Sequence, residues 1–256
     1  MPPAGSTRRR LVAVIIAAAV LVAVLAIAWF VAERIARENA TTRIQTELSA
    51  ALGLEPGHDV RVDLGAASLL PQVVGGSIDS LEVRVDDVPI DAIVADVRLS
   101  ARDVPLDSSL PLGGVTATAT VDESQIATLG DALSGIDLDS IELADGKVVA
   151  TTVLSAFGFE LPLSVALEPA VSGGAIDFVP AEFTVNGATL SLEQVRQGRF
   201  GALVDSALPQ QSFCVAEFLP ASIVLESAEV RDGALVLGFA GTDVVLDDLD
   251  TPGACG

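Results

Sequence analysis

The chain has no tyrosine, one histidine, one tryptophan and two cysteines, and aromatic residues make up only 4% of its 256 positions. Each scarcity excludes something. The one histidine, His58, stands in a Pro-Gly-His-Asp turn, and no Gly-x-Ser-x-Gly elbow accompanies it. An activated serine or cysteine nucleophile needs a positioned base, so nucleophilic catalysis has little to work with. One histidine and no Cys-x-x-Cys leave a zinc or iron site without ligands, and no Asp-x-Asp-x-Asp-Gly loop offers a calcium site. Phosphate loops and dinucleotide fingerprints are absent as well. Neither a metal nor a cofactor is expected.

Positive charge is the next scarcity. Of 14 basic residues, Arg8, Arg9 and Arg10 precede position 32, while all 35 acidic residues follow it. That leaves 11 basic against 35 acidic residues, a net charge of −24 on the remainder. Nucleic acid requires clustered Lys and Arg, so it is not a partner. Loose adsorption to an anionic bilayer is disfavoured by the same repulsion.

Apolar residues are abundant, at 50%, mostly Ala, Val and Leu. Twenty-two of them run almost unbroken from Leu11 to Ala32, directly after the three arginines. That length crosses a bilayer as a helix, and the arginines favour the inner side. The reading is a basic cytoplasmic N-terminus over residues 1–10, a signal-anchor over 11–32, and an extracytoplasmic domain over 33–256. A signal peptide cleaved after Ala28 is the competing reading, and it exports the same domain. Cys214 and Cys255 suit that compartment as one disulfide tying the C-terminal tail to the domain, with two free thiols as the alternative.

After the apolar run, Glu33 to Leu54 places Ile35, Ile44, Leu48 and Leu52 at helical spacing and ends at Gly53. From Val60 the period becomes two. Leu81, Val83 and Val85 alternate with charges, as do Ala95, Val97, Leu99 and Ala101, and Val115 to Val121 alternates with threonines. These are half-buried antiparallel strands. Asp145-Gly146, Asn186-Gly187 and Asp232-Gly233 mark hairpins. The segment Leu69–Gly76, "LLPQVVGG", reads as an apolar stretch turned into the sheet by Pro71 and its glycines. An Asp-Val-Pro-aliphatic motif occurs at Asp87 and again at Asp103, where proline marks strand ends. Residues 122–133 and 191–208 read as short helices. No linker divides the domain.

Acidic pairs abound: Asp86-Asp87, Asp122-Glu123, Asp137 with Asp139, and Asp247-Asp248. Paired carboxylates can hydrolyse glycosides. In so acidic a chain they are also what solvated turns provide. The chemistry that survives is the aliphatic strand face itself, with few aromatics to fill it.

Three segments, "LLPQVVGGSIDSLEVRVDDVPI", "VRLSARDVPL" and "FCVAEFLPASIVLESAEVRDGALVLGFAGTDVVL", together with the exported helix, resemble the LmeA-like family of actinobacterial phospholipid-binding proteins. The resemblance runs from about Glu33 to Leu246. It implies a cell-envelope protein that binds phospholipid, with phosphoinositide among the candidates, and in one branch a part in lipomannan maturation. It also implies a TULIP-like α+β fold, a long helix on a strongly curved antiparallel sheet that forms a tube. It brings no catalytic residues with it, and no enzyme is expected.

The expected tunnel lining is Leu70, Val73, Leu81, Val83, Val97 and Leu99, with Phe157, Phe159, Phe178 and Phe183. The expected headgroup contacts are Arg61, Arg84, Arg98 and Arg102. An envelope scaffold with a filled core and protein partners is the alternative. A carboxylate-dependent lipoglycan-processing enzyme is a third.

Overall fold

The computed structural model describes residues 6–55, 57–90, 93–126, 139–156, 159–185, 187–191, 193–194 and 211–256. For 6–21, 51, 154–156, 159–161 and 211 it describes the backbone alone.

One helix, α1, runs without a break from Ser6 to Ala51. The apolar run and the amphipathic segment after it are therefore a single rod. Its end is set locally. Gly53 adopts a left-handed φ of 63°, and Leu54 N–H reaches back to Ser49 C=O at 2.9 Å, the closure expected of a glycine C-cap. Among the described side chains, the second part of α1 packs on the domain. Its contact stripe is Ala36, Ala40, Ile44 and Leu48, one residue every four. Ile35 and Leu52, expected on that stripe, are exposed instead. The two alanines bring the helix backbone close to the sheet.

The first sheet has the order β1-β2-β3-β4-β12-β11, formed by β1 (Val60–Asp63), β2 (Ser77–Ile90), β3 (Ile93–Pro105), β4 (Gly114–Asp122), β11 (Val224–Arg231) and β12 (Ala234–Gly241). The second has the order β10-β8-β7-β6-β5, from β5 (Ser140–Ala144), β6 (Lys147–Ala156), β7 (Phe159–Ser172), β8 (Ala175–Val185) and β10 (Gln211–Cys214). A short β9 (Ala188–Ser191) shares the edge of β8 with β10. All pairings are antiparallel, and neither sheet closes on itself. The expected single curved sheet closing into a tube is thus corrected to two open sheets. The chain leaves the first sheet after β4, builds the second, and returns for the β11–β12 hairpin. That return makes one continuous domain of it. Cys214, at the end of β10, is disulfide-bonded to Cys255 in the C-terminal tail.

The turns follow their residues. Asp145-Gly146 and Asp232-Gly233 both have positive φ at each position, as tight hairpins require. Gly173-Gly174 does the same between β7 and β8. Asn186 lies outside the described residues. Both aspartates of the repeated Asp-Val-Pro motif are left-handed, Asp87 at φ 56° and Asp103 at 48°. Asp87 sits in the bulge of β2 between Val85 and Val88, so Val88 faces inward again after the irregularity. The motif is therefore a backbone device that re-phases a strand. Pro105 ends β3, and Pro89 stands next to the end of β2.

"LLPQVVG" is a helix, α2 (Leu69–Gly75), where a turn into the sheet was expected. Proline fits because its missing N–H falls in the first turn, where no intrahelical acceptor exists. Gly76 closes the helix at φ 86°. Of the two expected short helices, residues 123–126 and 193–194 are helical, Asp122 and Ser191 are the last residues of β4 and β9, and the rest lie outside the described residues. Ser191 and Gln194 exchange backbone and side-chain hydrogen bonds at 3.3 and 2.9 Å, the pattern of a capping box.

Candidate functional site

The inward face of the first sheet is apolar from edge to edge, and aliphatic except for Phe239 along its two middle rows. Two cross-strand rows form its middle. One reads Val83, Leu99, Ala117, Phe239 and Leu225; the other reads Val85, Val97, Ala119, Leu237 and Ala228. Burial along these rows is inverted relative to a filled core. The ends are closed, with Val85 at 1% and Leu225 at 6% exposure. The centres, Val97, Leu99, Ala117, Ala119, Leu237 and Phe239, are only half-buried.

What closes the frame can be named. Leu48 and Leu54 cover Val60, Val83, Val85 and Val88 on the β1–β2 side. Ile176 and Val215 cover Leu225 and Ala228 on the β11 side. At one end Ala95, Val121 and Leu235 pack with Leu143 and Val148 of the second sheet. At the other, Leu112 and Val244 close over Ala101 and Val115. Inside the frame, β4 contributes only methyl groups, from Ala117 and Ala119. Val97 and Leu99 stand on one side of it, Leu237 and Phe239 on the other. The result is a furrow along β4, floored by alanine and walled by larger side chains. Three strands and two rows give it a footprint of about 10 by 7 Å, from standard sheet spacings.

The expected lining residues fall in different places. Val97 and Leu99 wall the furrow, Val83 belongs to its closed frame, and Leu81 is half-buried beside it. Phe183 is buried in the second sheet at 4% exposure, and Phe178 packs between the two sheets. Phe157 lies outside the described residues, as does the side chain of Phe159. Leu70 and Val73 sit on α2, Leu70 half-buried and Val73 44% exposed. Ala117, Ala119, Leu237 and Phe239 were missed. For the two alanines a signal was available, since the alternation Val-Thr-Ala-Thr-Ala-Thr-Val changes to small residues only at its centre.

Arg61, Arg84 and Arg98 stand side by side in cross-strand register. They occupy the outward face, opposite the furrow, and all three are exposed. Arg61 pairs with Asp59 at 2.9 Å and Asp86 at 3.0 Å. Those partners raise its pKa, the Asp59 hydrogen bond most. Arg102, also exposed, is nearer the α2 end of the sheet.

The acidic pairs are spread through structural roles. Asp86 bonds Arg61, Glu123 accepts Leu143 N–H at 2.7 Å, and Asp247 and Asp248 form an exposed turn. Asp137 lies outside the described residues. His58 Nε2 donates to Asp86 C=O at 2.6 Å and pins the turn before β1 to the bulge of β2. Among the described residues no group of three metal-ligating side chains occurs.

One polar constellation was invisible in the sequence. Proline at position 71 leaves α2 with two free first-turn donors, Leu69 and Leu70 N–H. Both go to the carboxylate of Glu33 on α1, which also accepts Ser68 Oγ–H at 2.8 Å. Arg37, one turn on, donates to Gly65 C=O and Ala67 C=O at 2.7 Å each. The amide of Leu69, followed by the Leu70 amide, the Ser68 hydroxyl and the Arg37 charge, outweighs desolvation and holds the Glu33 carboxyl at about 2, well below its ordinary 4.5. Glu33 and Arg37 thus clamp α1 to α2 and the loop before it.

The model of the LmeA-like phospholipid-binding family matches residues 31–240, most of the chain and nearly all of the folded part. The chain belongs to that family. No curated protein and no solved structure matches it. The family match covers every strand of the furrow, from β3 through β12.

Proposed function

We propose that this LmeA-like chain is a membrane-anchored, extracytoplasmic protein that shelters a phospholipid acyl chain in the furrow along β4. The carrying observation is the inverted burial. Six aliphatic or aromatic side chains at the centre of a sheet face are half-buried, while the frame around them is closed. Each methylene moved from water into such a furrow contributes about 0.8 kcal/mol when fully buried. The floor of alanines leaves the space of the side chains that larger residues would fill.

Anchoring rests on residues 11–32. Among the described residues no helix is long and apolar enough to cross a membrane. The run begins in the portion of α1 where only the backbone is described. Its described part, from Val22 to Ala32, is exposed throughout, with Phe30 at 71% and Trp29 at 53%. An apolar helix without protein partners fits a lipid environment, and the three arginines before it favour an internal N-terminus. The disulfide fits an oxidising compartment of the cell envelope. Sheltering a lipid there serves lipid transport or lipoglycan maturation, with phosphoinositide among the headgroups to test. Among the described residues no group in the furrow is titratable, and binding without turnover is the chemistry those residues support.

The test is lipid extraction from the purified full chain followed by mass spectrometry, with re-uptake by delipidated protein. The expected result is co-purifying phospholipid that falls sharply in Ala119→Phe, a substitution that fills the furrow. Lipid-free protein that takes up none would refute this function and favour a scaffold acting through protein partners.

A further inference from the structure

The exposed apolar side chains of the domain are unevenly placed. At the far end of the first sheet, where β2 ends, β3 begins and α1 finishes, the large exposed ones among the described residues are Ile90, at 41%, and Leu52, at 38%. At the near end, where β2 starts, β3 and β12 finish and β4 and β11 start, several gather. Val73 and Val74 of α2 are 44% and 89% exposed, Leu106 and Leu110 in the loop after β3 are 52% and 51%, and Val224 at the start of β11 is 55%. These segments are tied together. Leu106 N–H bonds Gly76 C=O at 2.9 Å, and Leu112 N–H bonds Val244 C=O at 2.8 Å.

The direction of α1 assigns this end. Glu33 is bonded to α2 at the near end, and Leu48 packs with Val85 and Val88 toward the far end. The helix therefore leaves the domain at the near end, and the exposed residues Val22–Ala32 continue outward from it. The residue that clamps α2 is the first one after the apolar run. A bilayer holding that run lies next to α2.

We propose that the near end of the domain docks on the leaflet through which α1 passes, with Val73, Val74, Leu106 and Leu110 inserted at its interface. This rests on the anchored reading above. Attraction is apolar rather than coulombic, because Asp103, Asp107 and Asp247 share this end with the exposed Arg34 and Arg102. A zwitterionic surface is therefore the partner, and the Glu33–Arg37 clamp fixes the angle at which the domain meets it. Docking there would let a lipid pass between leaflet and domain without crossing water.

The test uses the full chain in phosphatidylcholine vesicles, with its cystine intact. An environment-sensitive fluorophore is attached at Val74→Cys, at Leu110→Cys or, as the distal control, at Ile90→Cys. Quenching by nitroxide-labelled phosphatidylcholine is read alongside that of Trp29, the single tryptophan. Docking predicts blue-shifted emission and strong quenching at positions 74 and 110, with neither at 90. Equal, weak quenching at 74 and 90 while Trp29 is quenched overturns the docking and leaves the anchor standing. If Trp29 and position 74 are both unquenched, anchor and docking fall together. Quenching at 74 without Trp29 keeps the docking and removes the span. Protection of position 74 from aqueous iodide without lipid quenching means that a second protein copy covers this face, which also overturns the proposal.

Discussion

Two parts of one sheet face carry the same kind of residue and do different things. Under α1, Val83, Val85 and Val88 are closed over by Leu48 and Leu54. One to three strands away, Leu99, Ala117 and Leu237 are half-buried. Hydrophobicity does not separate them. What separates them is coverage: a helix lies on the first region, whereas the frame around the second stands clear of its centre. In the first, an apolar side chain contributes to stability. In the second, the same side chain is left partly open, which is what the proposed lipid site requires.

That contrast can be broken by substitution. The largest stability effect is expected where coverage is complete. Leu69→Ala, at a residue 1% exposed between α1 and β2, should cost about 2–5 kcal/mol in urea unfolding. Removing the Cys214–Cys255 link by Cys255→Ser should cost a similar or smaller amount, about 2–5 kcal/mol for a native disulfide, with little change in bound lipid per folded molecule. In the furrow the ranking reverses. Leu99→Ala should lose less stability than Leu69→Ala and more lipid, measured as phospholipid per protein. If Leu99→Ala were as destabilising as Leu69→Ala, the furrow would be ordinary core.

The clamp offers a pH test with a definite sign. The Glu33 carboxyl titrates at about 2 in the folded chain against an ordinary 4.5. Its contribution is therefore complete above 4.5 and is lost as pH falls toward 2. Hydrogen exchange at the Leu69 and Leu70 amides should accelerate across that window beyond the intrinsic trend, and Glu33→Gln should remove the step. The smallest effect belongs to the outward face. Arg61→Ala breaks two exposed ion pairs and should leave the urea unfolding midpoint essentially where it is.

Much of the local structure was legible. Period-two alternation marked β2, β3 and β4, Asp-Gly marked two hairpins, and the run at 11–32 with the segment after it read as helix. The segments that carried the family resemblance lie in the matched region, apart from the last few residues of the C-terminal one. Other features were not legible for physical reasons. "LLPQVVGG" read as a turn because proline and paired glycine usually break regular structure. It is a helix because proline sits where a helix needs no donor and because a carboxylate 36 residues earlier caps it. Val73, expected in the lining, is exposed on that helix rather than part of a strand face.

The sequence by itself determined which face of each strand is greasy, where the chain turns, and that the inward face is mainly aliphatic rather than aromatic. These follow from the local geometry of a pleated strand and from the conformational freedom of Asp and Gly in tight turns. Only the tertiary structure decided which part of that face is core and which is furrow. It also decided that Glu33 is a helix cap, and that the exposed valines and leucines gather at the end from which α1 leaves. Periodicity states that a face avoids water; it carries no information on what covers it, since the covering residues come from strands and helices far away in the chain.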